Sequence, residues 1–185
     1  TILNPNETAF YWVFLLIRLD IWRRRKGVEM NLESRLVGAC VARGVTLATA
    51  ESCTGGMIAA RITAVPGSSD AFLGGVVSYA NAAKMALLDV PQSVLDQAGA
   101  VSEACAAAMA DGARQRLNAD LAVAVTGIAG PTGGTPEKPI GLVCFGLAAA
   151  DGVRTEHRIF TGDREAVRLQ ATEHALALLL GAANG

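Results

Sequence analysis

The stretch LATAESCTGGMIAARI, from Leu47 to Ile62, passes from an apolar run to polar residues and glycines, and then back to an apolar pattern. A run of buried-strand length, 45–50, ends at a carboxylate. Hydroxyls, a thiol and two glycines follow, and helical spacing then resumes until Pro66. This order predicts a strand, a sharp turn and a helix. Because such a turn gathers backbone N–H groups and a side-chain nucleophile in one small space, it also predicts a functional site.

The sequence on either side continues the alternation of strands and helices. The predicted strands cover 45–50, 72–80, 121–127, 142–149 and 153–160, and the predicted helices cover 32–43, 57–64, 81–88, 103–117 and 164–180. Strand 121–127 is almost entirely apolar, as expected for a strand covered on both faces. Together these elements predict an α/β fold, in which one domain contains a mixed sheet of strands alternating with helices and one antiparallel hairpin.

Polar residues and glycines mark the predicted boundaries. Gly44 is placed to end the first helix in a left-handed conformation. Asn81, Ser102 and Asp163 are each placed to cap the N-terminus of a helix. Asp151-Gly152 is a strong signal for the two-residue turn of a hairpin.

The composition excludes several classes of protein. The chain of 185 residues is 51% hydrophobic and 18% charged, which predicts a globular domain. Its net charge of -1 and pI near 6.1 predict no nucleic-acid partner. Four cysteines without paired spacing and two histidines predict no bound metal, and the sequence calls for no cofactor. We expect unpaired cysteines in a reducing, cytoplasmic compartment.

Residues 1–29 differ from the rest of the chain. They contain the aromatic-rich run FYWVFLLI, at 10–17, and a basic run at 23–26. The apolar run is too short to span a bilayer, and its positive charge follows it, unlike that of a secretory signal. We expect 1–29 to be an extension outside the natural domain, such as a start-site artefact, and the domain to cover 30–185. An anchor that lies on a membrane surface is the alternative.

Three predicted strand ends carry hydroxyl groups, and in open α/β sheets ligands bind at such ends. They carry Ser52 with Thr54, Tyr79 with Lys84 nearby, and Thr126, which opens the Gly- and Pro-rich loop 127–141. Long ordered loops in compact domains usually carry function, so we expect this loop to line the site.

Ser52 needs a base to become a nucleophile, and neither His157 nor His174 is placed for a Ser-His-Asp triad. Lys84 lies among apolar neighbours, where desolvation disfavours the ammonium form. It is therefore the predicted base, and Tyr79 is predicted to relay or orient the proton.

The turn after the strand offers further groups and other interpretations. Backbone N–H groups from Cys53 to Gly56, at a helix N-terminus, are predicted donors to an oxyanion or a phosphate. Cys53 is an alternative nucleophile, because a thiol at a helix N-terminus has a lowered pKa. The same residues also fit ordinary roles: a cap and tight turn at Ser52, a solvated surface lysine at Lys84, and a cap at Thr126.

Seven segments, taken in order, resemble the CinA C-terminal domain family, and the likeness runs from about Leu32 to Leu180. They are TAESCTGG (49–56), PGSS (66–69), VSYANAAK (77–84), GAVSE (99–103), TGIAGPTGG (126–134), EKPIG (137–141) and GDREAVR (162–168). The family includes enzymes that deamidate nicotinamide mononucleotide.

The resemblance implies hydrolysis of the carboxamide of nicotinamide mononucleotide, without a metal, as part of pyridine nucleotide recycling. It places the nucleophile at Ser52, and its other functional positions fall on Lys84, Tyr79 and Thr126. It also implies a homodimer and a small-molecule pyridine nucleotide as the partner. The alternative is a nucleotide-binding module of the competence and damage-inducible family that has no turnover.

The predicted substrate-binding residues serve either the oxyanion or the phosphate. The oxyanion is expected at the backbone of Cys53, Thr54 and Gly55. The phosphate needs a separate anion site, and two alternatives stay open. One is the backbone of the loop, at Gly127 and Gly130 among others, and the other is the guanidinium groups of Arg164 and Arg168.

Overall fold

Strands and helices alternate along the chain in the computed structural model, which describes residues 30–185. The strands are β1 (Leu47–Glu51), β2 (Phe72–Val77), β3 (Leu121–Gly127), β4 (Leu142–Ala149) and β5 (Gly152–Ile159). The helices are α1 (Leu32–Arg43), α2 (Met57–Thr63), α3 (Asn81–Leu88), α4 (Gln92–Gln97), α5 (Glu103–Leu117) and α6 (Arg164–Asn184). A single 3₁₀ turn, Ser68–Asp70, precedes β2 among the described residues.

The strands form one mixed sheet with the order β2-β1-β3-β4-β5. Strand β1 pairs in parallel with both β2 and β3, whereas β4 is antiparallel to both β3 and β5. The carboxyl ends of β1, β2 and β3 therefore meet at one edge of the sheet. The predicted α/β fold, with its antiparallel hairpin, is confirmed.

Helices cover both faces of the sheet, and the two faces differ in side-chain size. Helices α1, α2 and α6 pack on larger side chains such as Val123 and Phe145. Helices α3, α4 and α5 pack on alanines such as Ala48, Ala122 and Ala124. The small residues let α5 approach the sheet closely, and a Cβ at Gly146 would lie 2.3 Å from the carbonyl oxygen of Ala106.

Most predicted boundaries are confirmed within a few residues. Gly44 ends α1 with a φ of 64°. Ser102 and Asp163 cap α5 and α6, because their side chains accept hydrogen bonds from backbone N–H groups three residues further on. Helix α6 continues to Asn184, beyond the predicted end.

Some details of the prediction are wrong. Asn81 is not a cap, since it is the first residue of α3 and the capping position is Ala80, without a side-chain hydrogen bond. Strand β2 ends at Val77, so Tyr79 lies in the connection to α3. The hairpin turn is Ala150-Asp151, because Gly152 already pairs with Ala149. Helix α4 and the 3₁₀ turn were not predicted; both are too short for a periodic pattern.

None of the helices in residues 30–185 is long and apolar enough to cross a membrane. The aromatic and basic runs of the N-terminal extension lie outside the described residues. The predicted role of residues 1–29 therefore stays a prediction.

The close packing of α5 on α3 predicts opposite effects of alanine at two helical glycines. A Cβ at Gly112 would lie 2.0 Å from the carbonyl oxygen of Leu88, whereas Gly181 is exposed and has no atom within 4 Å of a Cβ. We expect Gly112→Ala to lower the free energy of unfolding by about 1–3 kcal/mol, and Gly181→Ala to raise it by about 0.5–1 kcal/mol. Urea denaturation measures both, and equal gains would contradict this packing.

Candidate active site

The connection from β1 to α2 is a tight turn held by a buried carboxylate. Glu51 Oε2 accepts hydrogen bonds from the backbone N–H groups of Gly56, at 2.9 Å, and Ile58, at 3.1 Å. Glu51 Oε1 accepts one from Ala59, at 2.9 Å. Gly55 and Gly56 adopt φ angles of 64° and 97°, which L side chains rarely adopt. The turn therefore depends on these glycines and on Glu51.

Ser52 directly follows β1 and is fixed by the neighbouring strand. Its N–H group donates to the carbonyl oxygen of Val125, at 2.9 Å, so that strand-like pairing with β3 continues one residue past Glu51. The Ser52 side chain is buried at the sheet face that carries α3 and α5.

Lys84 lies on α3, and its side chain extends to Ser52 at the end of β1. Lys84 Nζ is 3.0 Å from Ser52 Oγ, 2.7 Å from the carbonyl oxygen of Ser78 and 3.3 Å from that of Tyr79. The lysine is only 1% exposed. The interpretation of Lys84 as a solvated surface lysine is therefore wrong, because helix α3 directs it into the interior.

Burial disfavours the charged form of Lys84. Burial lowers the pKa of Lys84 below its ordinary value of 10.5, while the nearby thiols of Cys105 and Cys53 act weakly in the opposite direction. A neutral amine has two N–H donors and one lone pair. The carbonyl oxygens of Ser78 and Tyr79 take the two donors, which leaves the lone pair for the hydroxyl of Ser52.

Thr126 lies at the end of β3, next to the strand that carries Ser52. Its side chain is 1% exposed, and its hydroxyl donates to the carbonyl oxygen of Ala100, at 2.8 Å. Lys138 fastens the same segment, since its Nζ donates to the carbonyl oxygens of Ala98 and Val101, both at 2.7 Å. Thr126 and Lys138 thus tie the loop 127–141 to the segment before α5.

Two arginines of α6 hold the loops around Ser52. Arg168 Nε and Nη2 donate to the carbonyl oxygens of Cys53 and Thr54, at 3.0 and 2.9 Å. Arg164 Nη1 donates to the carbonyl oxygen of Gly130, at 2.9 Å. No ion pair joins either arginine to a carboxylate among residues 30–185.

Tyr79 is separated from the amine that it was predicted to assist. Its side chain is 65% exposed, and its hydroxyl accepts a hydrogen bond from Arg164 Nη2, at 3.2 Å. Only its carbonyl oxygen contacts Lys84 among the described groups. The structure therefore brings Tyr79 to the rim of the site, next to Arg164 and the loop 127–141.

The backbone of the turn lies near Ser52, but the N–H groups at the start of α2 already donate to Glu51. Because the Gly56 N–H group donates to Glu51, the predicted oxyanion donors that are left are the backbone N–H groups of Cys53, Thr54 and Gly55. The prediction is wrong for the Gly56 N–H group, because the carboxylate of Glu51 accepts it; for Cys53, Thr54 and Gly55 it stays a prediction.

Cys53 does not have the properties expected of a reactive thiol. It is buried, and burial raises the pKa of the Cys53 thiol to about 11. The lowered pKa on which the alternative thiol mechanism depends is therefore wrong. All four cysteines are free and buried.

An open groove of about 420 Å³ lies beside the N-terminus of α5. It is lined by residues of 98–103 and 137–142, together with Cys144, His157 and Ile159. Neither Ser52 nor Lys84 lines it. Within residues 30–185, no three His, Cys, Asp or Glu side chains are grouped so that they could hold a metal ion.

Sequence reasoning missed three residues that shape the site: Glu51, Ser78 and Lys138. Ser78 supplies the 2.7 Å carbonyl contact to Lys84, and its own hydroxyl is buried without a hydrogen-bond partner among residues 30–185. The position of Glu51 between an apolar run and a Ser-Cys-Thr turn was a usable signal, since a carboxylate before a helix can satisfy its first N–H groups.

Comparison with known proteins supports the resemblance seen in the sequence. Residues 29–183 match the family model described as the CinA C-terminal domain. A "Putative competence-damage inducible protein" of Symbiobacterium thermophilum is 56% identical in an alignment of 173 residues that covers 88% of this chain and 41% of the relative. A "CinA-like protein" of Geotalea uraniireducens is 58% identical over 126 residues, 68% of this chain and 30% of the relative. The chain thus spans less than half the length of these curated relatives.

Solved structures of CinA superfamily proteins share the fold along nearly their whole length. One from Klebsiella pneumoniae has a TM-score of 0.79 and 40% identity, over 83% of this chain and 96% of that one. One from Escherichia coli has a TM-score of 0.78 and 41% identity, over 81% of this chain and 87% of that one.

The lowered pKa of Lys84 predicts a characteristic dependence of stability on pH. Between that lowered pKa and the ordinary value of 10.5, the unfolded chain binds more protons than the folded protein. The free energy of unfolding, measured relative to that of Lys84→Met, should therefore rise with pH in this window. The difference between the two proteins cancels the contributions of Cys40 and Cys144, whose pKa shifts do not involve Lys84. Urea denaturation at a series of pH values tests this, and a flat difference would contradict it.

Proposed function

The chain belongs to the CinA C-terminal domain family, and we propose that it is an amidohydrolase that converts nicotinamide mononucleotide into nicotinate mononucleotide and ammonia. The observation that carries the proposal is the buried amine of Lys84, 3.0 Å from the hydroxyl of Ser52. A serine beside a base with a lowered pKa is the arrangement that nucleophilic attack on an amide requires.

In the first step, Ser52 Oγ attacks the carboxamide carbon of the nicotinamide ring. The hydroxyl proton passes to the lone pair of Lys84, and the carbonyl oxygen becomes an oxyanion. Backbone N–H groups of Cys53, Thr54 and Gly55 are the proposed donors to that oxyanion. Arg168 supports their placement, because it binds the carbonyl oxygens of the same turn.

In the second step, the Lys84 ammonium returns the proton to the amide nitrogen as the carbon–nitrogen bond breaks. Ammonia leaves, and the acyl group stays on Ser52. A water molecule then attacks the acyl carbon with Lys84 again as the base, and the carboxylate product is released with Ser52 restored. The carbonyl oxygens that accept from Lys84 stabilise its ammonium form between these transfers.

The phosphate of the substrate is proposed to bind at Arg164. Its guanidinium is exposed at the rim, beside the exposed side chain of Tyr79 and the backbone of Gly130, and it has N–H donors left over from those contacts. Arg168 is less suited, because two of its donors already hold the turn. In this proposal Tyr79 orients Arg164 and the bound nucleotide, and Thr126 positions the loop 127–141.

The proposal extends to assembly and location, where it rests on the family alone. We expect a homodimer in the cytoplasm, which size-exclusion chromatography with light scattering and cell fractionation would test. The names of the relatives, "competence-damage inducible" and "CinA-like", suit the competing function of a nucleotide-binding module without turnover.

Loss of either central group should abolish ammonia release from nicotinamide mononucleotide. Ser52→Ala removes the nucleophile, and Lys84→Met removes the base while nearly keeping the side-chain volume. We expect kcat to fall at least about 10³-fold for Ser52→Ala and about 10²- to 10⁴-fold for Lys84→Met. Coupled ammonia detection at saturating substrate measures both, and circular dichroism checks that each variant is folded.

Two further results discriminate the alternatives to this mechanism. Cys53→Ala keeps the turn backbone and should retain most of the activity, whereas a loss as large as that of Ser52→Ala would favour a thiol mechanism. An unaltered protein that binds the nucleotide without releasing ammonia would favour the binding module.

The assignment of the phosphate to Arg164 predicts an effect that depends on the phosphate itself. Arg164→Gln should lower kcat/KM for nicotinamide mononucleotide about 10- to 100-fold, since a charge-assisted hydrogen bond is lost. The low kcat/KM for nicotinamide riboside, which lacks the phosphate, should change little. Arg158→Gln, an exposed arginine of β5, is the matched control. Equal losses for the two substrates would place the phosphate elsewhere.

A further inference from the structure

Glu51 is a buried carboxylate whose hydrogen bonds all point into the fold. It is 1% exposed, and its two oxygens accept three backbone N–H groups at the start of α2. The first N–H groups of a helix have no partner within the helix, so a side chain has to satisfy them when water is excluded. Glu51 thus fixes where α2 begins relative to the end of β1.

The backbone of Glu51 makes the second connection of the site. Its carbonyl oxygen accepts the N–H group of Ser78, at 2.9 Å, and the carbonyl oxygen of Ser78 in turn accepts from Lys84 Nζ, at 2.7 Å. Ser52 is its neighbour in the chain. Glu51 is therefore one residue from the nucleophile and two hydrogen bonds from the base.

The chemistry of the side chain explains why a carboxylate is required at position 51. The two carboxylate oxygens together accept the three N–H groups, and the glutamate side chain is long enough to bring both oxygens to the start of α2. Glutamine has one accepting oxygen, so its amide NH₂ would face a backbone N–H group. Aspartate keeps both acceptors but is one methylene shorter, so the turn has to move to meet it.

We propose that Glu51 is a positioning residue whose carboxylate holds the turn from β1 to α2, so that Ser52 Oγ stays 3.0 Å from Lys84 Nζ. This inference rests on the proposed roles of Ser52 and Lys84 as nucleophile and base. Glu51 touches neither of their side chains among the described hydrogen bonds, and its burial keeps it from the substrate. It acts through the placement of Ser52.

The test compares Glu51→Gln and Glu51→Asp with a matched variant at the opposite end of the same strands. The carboxylate of Asp120 also accepts a backbone N–H group, that of Thr46, at 2.8 Å, and the Thr46 hydroxyl, at 2.7 Å. Thr46 and Asp120 directly precede β1 and β3, so Asp120→Asn alters a carboxylate that also accepts a backbone N–H group but is exposed and far from Ser52.

The readout is the rate at which a fluorophosphonate labels Ser52, a reaction that needs the activated serine but not the natural substrate. A displacement of about 1 Å costs about 100-fold in such reactions, so we expect labelling of Glu51→Gln to fall about 10- to 100-fold. Glu51→Asp should lie between Glu51→Gln and the unaltered protein. Asp120→Asn should stay within about twofold. Urea denaturation of all variants separates these rates from stability.

Steady-state kinetics supplies a second readout of positioning. In ammonia release, kcat of Glu51→Gln should fall while KM for nicotinamide mononucleotide stays within about threefold, because the binding groups are elsewhere. Serine labelling without ammonia release in the unaltered protein would reject the proposed substrate and leave the inference about Glu51 standing.

Three results would overturn the role of Glu51. They are unchanged labelling in both Glu51 variants, an equal loss of labelling in Asp120→Asn, and a Ser52 that the fluorophosphonate does not label in the unaltered protein. If Glu51→Gln does not fold, Glu51→Asp decides alone, and labelling of that variant at the unaltered rate would reject positioning.

Discussion

The buried amine of Lys84 needs hydrogen-bond partners within the layer between the sheet and helices α3, α4 and α5, which is otherwise almost entirely apolar. A charged ammonium in such a layer is costly unless a counter-charge lies close, and no carboxylate pairs with Lys84 among the described residues. Burial accordingly lowers the pKa of Lys84, and its partners are two carbonyl oxygens and one hydroxyl. The remaining architecture of the site follows from this, because the Ser78–Tyr79 connection and the end of β1 both have to meet one amine.

The alanine-rich face of the sheet makes that meeting sterically feasible. With small side chains on β1 and β3, the helices on this face lie close to the strands, and α5 packs against α3 at Gly112 without a side chain between them. Helix α3 is thereby held at a distance from which a lysine spans the gap to Ser52. The opposite face carries larger side chains and supports α2 and α6, which supply the turn and its arginines. The two faces thus serve different parts of one site.

Local patterns in the sequence were sufficient for most of the fold, because the apolar run of strand 121–127 and the spacing of helix 103–117 are visible within each segment. The capping residues Ser102 and Asp163 act on N–H groups three residues further on. Sequence reasoning also paired Ser52 with Lys84, from the apolar neighbours of the lysine. It could not place the Tyr79 hydroxyl, whose direction depends on Arg164, a residue of the last helix. It also did not assign Glu51 to the start of α2, although the position of this carboxylate was a signal, because the sharpness of the turn depends on backbone angles that the sequence suggests only through its glycines.

Arg168 binds the carbonyl oxygens of Cys53 and Thr54 across a sequence separation of 115 and 114 residues. During synthesis on a ribosome, the strands and helices before position 160 emerge and can pack well before α6 does, as N-terminal parts of domains generally fold first. The turn beside Ser52 would lack its guanidinium clamp throughout that interval. The turn therefore gains its last side-chain contacts only once α6 has formed, although the strand that carries it is among the first parts of the domain to be made.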